Sequence, residues 1–84
     1  MSDVELETIE PAKMVDARGM ACPGPLLEAK KAIGMVPVGQ TVEIRSGDPS
    51  TKNDIPTWAA KVGHEFLGAL PADGFDRIFV RRKK

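Results

Sequence analysis

Cys22 is the only cysteine in the chain, and the residues around it decide what its thiol can do. Composition alone equally allows a small buried hydrophobe, the commonest use of a free cysteine. The local sequence argues for a reactive one. Cys22 is followed by Pro23, Gly24 and Pro25, and then by Leu26, Ala29, Ile33 and Val36 at helical spacing, with Glu28, Lys30 and Lys31 facing water. Proline suits the first helical position, where its missing N–H costs nothing, so Cys22 is predicted to be the N-cap. Free amides and the helix dipole at such an end favour an anion, which lowers a thiol pKa and raises the thiolate fraction near neutrality. Pro23 and Pro25 have no N–H, so the amides of Gly24 and Leu26 are the nearest forward donors, and stabilisation of the thiolate should be partial. The prolines stiffen the loop, and Gly24 leaves room for another protein's sulfur to approach. The expected product is a reactive, exposed thiol.

The residues that are absent narrow its chemistry. Without a second cysteine there is no resolving thiol, which argues against a dithiol oxidoreductase. His64 is the only histidine, so no Cys/His cluster completes a metal site. It follows Gly63 at a predicted helix end, where the dipole favours a cation, a structural role and not that of a catalytic base. The chemistry of Cys22 must therefore be completed by a partner. A redox-sensor thiol, forming a sulfenic acid or mixed disulfide under peroxide, is a competing use.

The elements that position this loop can be traced along the chain. Residues 1–11 lack periodicity and read as a flexible leader. Lys13–Ala17 reads as a short strand. The first helix stops before Pro37, with Gly39 in the turn. Thr41–Ser46 alternates Val42 and Ile44 with Thr41, Glu43 and Arg45, a strand with one wet face. After the turn Gly47–Ser50 a second helix covers about Ser50–Val62, with Ile55, Trp58, Ala59 and Val62 along one side. Asp54 is expected to cap its main part, ahead of Ile55 and Pro56, with Gly63 as a left-handed C-cap. Trp58 and Met35 hold helical positions that are more often core than contact. Glu65–Leu70 and Phe75–Arg81 read as strands joined through Pro71–Gly74. The order β-α-β-α-β-β predicts an α/β (α+β) two-layer sandwich, a mixed four-stranded sheet with two helices on one face. A right-handed β-α-β crossover makes the first two strands parallel. Arg18, Cys22 and the segment 47–54 should then meet at one rim, where open α/β sheets tend to bind ligands.

Eighty-four residues allow one domain, here 12–82, with 83–84 as a basic tail. Twelve basic and twelve acidic residues cancel, so no overall field points to nucleic acid or an anionic membrane. The ends differ, with Asp3, Glu5, Glu7 and Glu10 at one and Arg81–Lys84 at the other; they read as two solvated ends. An RNA-binding module using the basic tail is the alternative function, although the scarcity of candidate exposed aromatics counts against it. No apolar run approaches membrane-spanning length, and the acidic start does not resemble a signal peptide. A cytoplasmic protein, monomeric when free, is expected.

The segment from Asp16 through Arg18, Gly19, Cys22 and Pro23 to Pro25 resembles the D-x-R-G-x-x-C-P-x-P signature of the TusA/SirA-like sulfur carriers. Gly39, Asp48-Pro49, Asp54-Ile55-Pro56 and Gly63-His64-Glu65 are similar to the family's pattern, and the resemblance covers about residues 13–82. Gly24 is smaller than the residue the family often carries in that slot. The resemblance implies a fold like the C-terminal domain of translation initiation factor three. It implies that Cys22 accepts sulfane sulfur from a cysteine desulfurase or rhodanese, holds it as a persulfide and hands it to another protein's reactive cysteine. The sulfur would end in tRNA 2-thiouridine, sulfur oxidation or cofactor synthesis. Such a protein is a covalent carrier with no cofactor beyond the carried sulfur, not a stand-alone catalyst. Beside Cys22, Pro23, Gly24 and Pro25 would shape the loop. Arg18 would pair with the persulfide, a partner's acid or Asp16, or stand solvated; Asp48 and Asp54 are helix caps or orient a partner. Met20, Arg45 and Lys52 are candidate docking residues.

Overall fold

A computed structural model describes residues 3–21 and 23–84. The elements are α1 (Asp3–Glu7), β1 (Lys13–Asp16), α2 (Gly24–Ile33), β2 (Thr41–Ser46), α3 (Thr51–Val62), β3 (Glu65–Ala72) and β4 (Phe75–Arg81). The sheet runs β1-β2-β4-β3, an order that periodicity could not supply. β1 and β2 are parallel, in a register that sets Asp16 against Arg45, while β4 is antiparallel to both β2 and β3. The predicted two-layer architecture therefore holds.

Its main core is what the alternation dictates. Val42 and Ile44 of β2 and Ile78 and Val80 of β4 point to one face, and meet Ala29 and Ile33 of α2 and Ile55 and Ala59 of α3. The helices depart from expectation at their starts. α2 begins at Gly24 with Pro23 at the N-cap and Pro25 just inside, one residue later than the Cys22 cap implied. α3 runs unbroken from Thr51, so Asp54 lies in its first turn and is not its cap, and Pro56 sits within the helix. The expected looser turn is absent. Asn53 and Asp54 N–H groups both donate to the Ser50 carbonyl, at 3.0 and 2.9 Å, so the helix starts where expected, with its first turn already regular. Gly63 closes it in the left-handed conformation, as predicted.

The second face of the sheet differs most. Within the expected leader, α1 lays Leu6 against Leu67, Leu70 and Phe79, and Leu6 is 2% exposed. A side chain at Gly68 would collide with Leu6, its Cβ only 2.8 Å from a leucine methyl, and Gly68 also has φ +149°. The backbone conformation favours glycine there, and any side chain would also make Leu6 shift. Nor is the second face of β2 wet: Thr41 and Glu43 are buried. Glu43 is tolerated because Arg45 Nε and Arg77 Nη2 donate to its two oxygens at 2.6 and 2.9 Å. Burial pushes this carboxyl up, but the two arginines outweigh it and hold Glu43 below its ordinary range.

The basic end is held to the domain. Arg81 pairs with Glu65 at 2.9 Å, Arg82 donates to the Val36 carbonyl at 2.7 Å, and the Lys83 amide donates to His64 Nδ1 at 3.1 Å. His64 is thus not the dipole-stabilised cation expected. Desolvation, followed by the charges of Arg82 and Lys84, lowers its pKa and favours the neutral ring.

Candidate functional site

The parallel pair β1–β2 brings two loops to one rim. After β1, the Ala17 amide continues the ladder to the Arg45 carbonyl at 2.8 Å, and the Met20 amide closes a turn onto Ala17 at 3.1 Å. Gly19 in that turn has φ +87°, a conformation that side chains disfavour. After β2, the chain turns through Gly47 and Asp48. The buried Ser46 and Thr51 hydroxyls share a 2.8 Å hydrogen bond across this turn, and the Asp48 amide donates to Ser46 Oγ at 3.1 Å. Asp48 Oδ1 in turn accepts from both the amide and the hydroxyl of Ser50, at 3.0 and 2.8 Å, which fixes the entry to α3.

Between the loops lies a hollow of ≈ 330 Å³ lined by Gly19, Met20, Ala21, Gly47 and Asp48. Cys22 lies outside the described residues. Its neighbours Ala21 and Pro23 are both exposed, Met20 is 41% exposed, and Pro25 is buried. Of the two amides expected to face the sulfur, that of Gly24 donates instead to the Ala21 carbonyl at 2.8 Å, a local turn that the prediction overlooked.

The charged residues divide. Arg18 forms a two-pronged bridge to Asp16, Nε to Oδ1 at 2.7 Å and Nη2 to Oδ2 at 2.8 Å, with its own amide donating at 3.2 Å. Hydrogen bonds from the Arg18 side chain and amide, helped by its charge, lower the Asp16 carboxyl to about 2. The Arg18 guanidinium also lies 5.0 Å from the Phe75 ring centroid, a ring-face contact that helps orient it. Of the partners foreseen for Arg18, Asp16 is the one that this chain itself supplies. Arg45, a candidate docking residue, is only partly exposed and is paired with the buried Glu43; Lys52 is exposed, 3.6 Å from Asp76. Sequence reasoning missed Phe75, Ser46 and Thr51. A hydroxyl ending a strand and another opening the next helix were a visible signal for the last two, whereas only tertiary structure brings Phe75 to Arg18.

This is a two-layer α+β domain whose cysteine loop and acidic turn meet where two parallel strands end. The chain belongs to the sulfurtransferase TusA family, whose model matches residues 13–82. An Archaeoglobus fulgidus protein, provisionally named a sulfur carrier, is 45% identical over 71 residues, covering 84% of this chain and 97% of its own. The sulfur carrier protein TusA of Pseudomonas entomophila is 33% identical over 69 residues, covering 82% of this chain and 86% of its own. A SirA-like protein of Desulfitobacterium hafniense has the same fold, with a TM-score of 0.75 over 86% of this chain and 99% of that one at 23% identity. A sulfur carrier role, with transfer to partner proteins, follows from the family.

Proposed function

We propose that Cys22 carries the sulfur as a persulfide. The Cys22 thiolate attacks the outer sulfur of a donor persulfide; the donor's S–S bond breaks and its thiolate leaves. An acceptor thiolate then attacks the outer sulfur of Cys22–S–SH, and the Cys22 thiolate departs. Each step exchanges one S–S bond for another, so no external oxidant or reductant is needed, and the carried sulfur is the only non-protein group required. The observation that carries this reading is the exposure of both neighbours of Cys22, Ala21 and Pro23, at the rim beside an open hollow. Pro23, Gly24 and Pro25 shape the approach. The domain contributes presentation of the sulfur more than a full catalytic apparatus.

A cysteine desulfurase or rhodanese is the donor class, and a cysteine-bearing protein the acceptor. The partner determines whether the sulfur proceeds to tRNA thiolation or to sulfur oxidation. Among the described residues no helix is long and apolar enough to cross a membrane, and the reading places the relay in the cytoplasm. The test is to incubate the protein with a cysteine desulfurase and cysteine and to weigh it intact. Wild type should gain the mass of one sulfur atom, reversibly under dithiothreitol. No gain, or an equal gain on Cys22→Ser, refutes the proposal.

A further inference from the structure

α2 and α3 both start at the cysteine-loop rim and run side by side away from it. A groove of ≈ 320 Å³ between them is lined by Leu26, Lys30, Asp54, Thr57, Trp58 and Lys61. Leu26 and Asp54 lie in the opening turns of the two helices, so the groove opens at the rim. Lys61 lies in the last turn of α3, about 10 Å further along at 1.5 Å per residue. The groove therefore leads from the sulfur site across the outer face of the helix layer.

Its chemistry changes along its length. Leu26 and Trp58, half-buried and packed against the core, provide apolar walls. Lys30 and Lys61 are exposed at the far end and form no ion pair among the described residues, whereas Lys31, Lys52 and Lys83 each meet a carboxylate. An apolar cleft with unneutralised ammonium groups at one end complements an apolar side chain followed by carboxylates. One helical turn separates Leu26 from Lys30. The matching span in an extended peptide is about two residues, and side chains two apart share a face.

We propose that this groove holds a segment of the sulfur-exchanging partner, lying beside that partner's reactive cysteine and carrying an apolar residue with an acidic residue two positions away. The inference rests on the carrier reading and adds the recognition step to it. The apolar side chain seats between Leu26 and Trp58, the carboxylate reaches Lys30 and Lys61, and the partner's thiol is left at the rim beside Cys22. Docking remote from the reacting atoms raises the effective concentration of one thiol at the other.

Trp58 is the only tryptophan and the chain has no tyrosine, so its emission reports the groove directly. The full-length Cys22→Ser protein is titrated with a blocked peptide of sequence GSLSEEG and, separately, with GSLSKKG. The acidic peptide should shift Trp58 emission to the blue with an affinity that weakens as salt rises, and the basic peptide should not. The double variant Lys30→Glu/Lys61→Glu, at two exposed positions, should keep the urea midpoint and bind the acidic peptide about tenfold more weakly. Equal binding of both peptides, absence of any emission change, or undiminished affinity in a folded double variant overturns the proposal. So does a Trp58 shift that follows the protein's own concentration, which would assign the groove to a second copy. Because docking is scored without the thiol, its failure leaves the persulfide mass test standing, and failure of the mass test leaves the docking result readable.

Discussion

Replacing Glu43 by Gln should destabilise the domain by about 2–3 kcal/mol. The side chain is 2% exposed and receives Arg45 at 2.6 Å and Arg77 at 2.9 Å. Removing one member of a buried ion pair typically costs about 3–5 kcal/mol, because the charge left behind is stranded. Here the stranded arginines are 31% and 27% exposed and can turn toward water, which reduces the cost. Glutamine preserves the shape and one acceptor, so what is lost is about one charge-assisted hydrogen bond plus part of the second, at about 1.5–3 kcal/mol each. For a domain of this size the Tm should fall by roughly 10–15 °C. Urea denaturation followed by Trp58 emission would measure the change, with m unaltered. The pH dependence provides an independent arm. Glu43 has a folded pKa below its ordinary 4.5, so its contribution is complete above that value and is lost as pH falls through the lower folded value. Glu43→Gln should lack that portion of the acid slope. A loss below about 0.5 kcal/mol, or wild-type and variant stability curves that stay parallel down to pH 3, would refute the assignment of a structural charge cluster.

Three further outcomes follow from the same contacts. In a carboxyl NMR titration Asp16 should titrate at about 2 and return toward 3.8 in Arg18→Ala; an unshifted midpoint in wild type would contradict the two-pronged bridge. His64 should titrate below 6.5, and because the folded state disfavours the proton, stability should decrease as pH falls from 6.5 through the lower folded value; a midpoint above 6.5 would reverse this sign. Leu6→Ala should cost about 2 kcal/mol, at the low end for a buried leucine because α1 is a single short helix, and should raise amide exchange around Gly68; unchanged exchange there would show that α1 does not rest on β3.

Strong periodicity was readable and weak periodicity was not. The alternation of Thr41–Ser46 and the spacing of Leu26, Ala29 and Ile33 identified the core face of each element, because burial of a stripe depends on near neighbours in the chain. α1 was invisible because one turn with one anchoring leucine has no period to detect. The opening turn of α3 reads as loose, with Asp54 as a cap, because proline suits the first turn of a helix and Pro56 follows Asp54 by two residues. Pro56 has no N–H to donate back to the Lys52 carbonyl, yet the buried Ile55 and Ala59 on either side hold the helix through it. At the rim, Asp48 reads as a helix cap, whereas Ser50 is the N-cap of α3 and Asp48 holds its amide and hydroxyl. Arg45, by contrast, looked like a surface residue because its strand alternates and nothing local marks Glu43 as buried.

The sequence by itself determined the order of elements from β1 onward, the parallel β-α-β crossover and hence the rim to which Arg18, the residues flanking Cys22 and Asp48 are brought. Those follow from short-range patterns and the handedness of the chain. Only the tertiary structure decided which charges neutralise one another. Insertion of β4 beside β2 sets Arg77 across from Arg45, closes the cage around Glu43 and brings Phe75 under Arg18. The partner of a charge depends on strand register between distant segments, and no local pattern encodes that register.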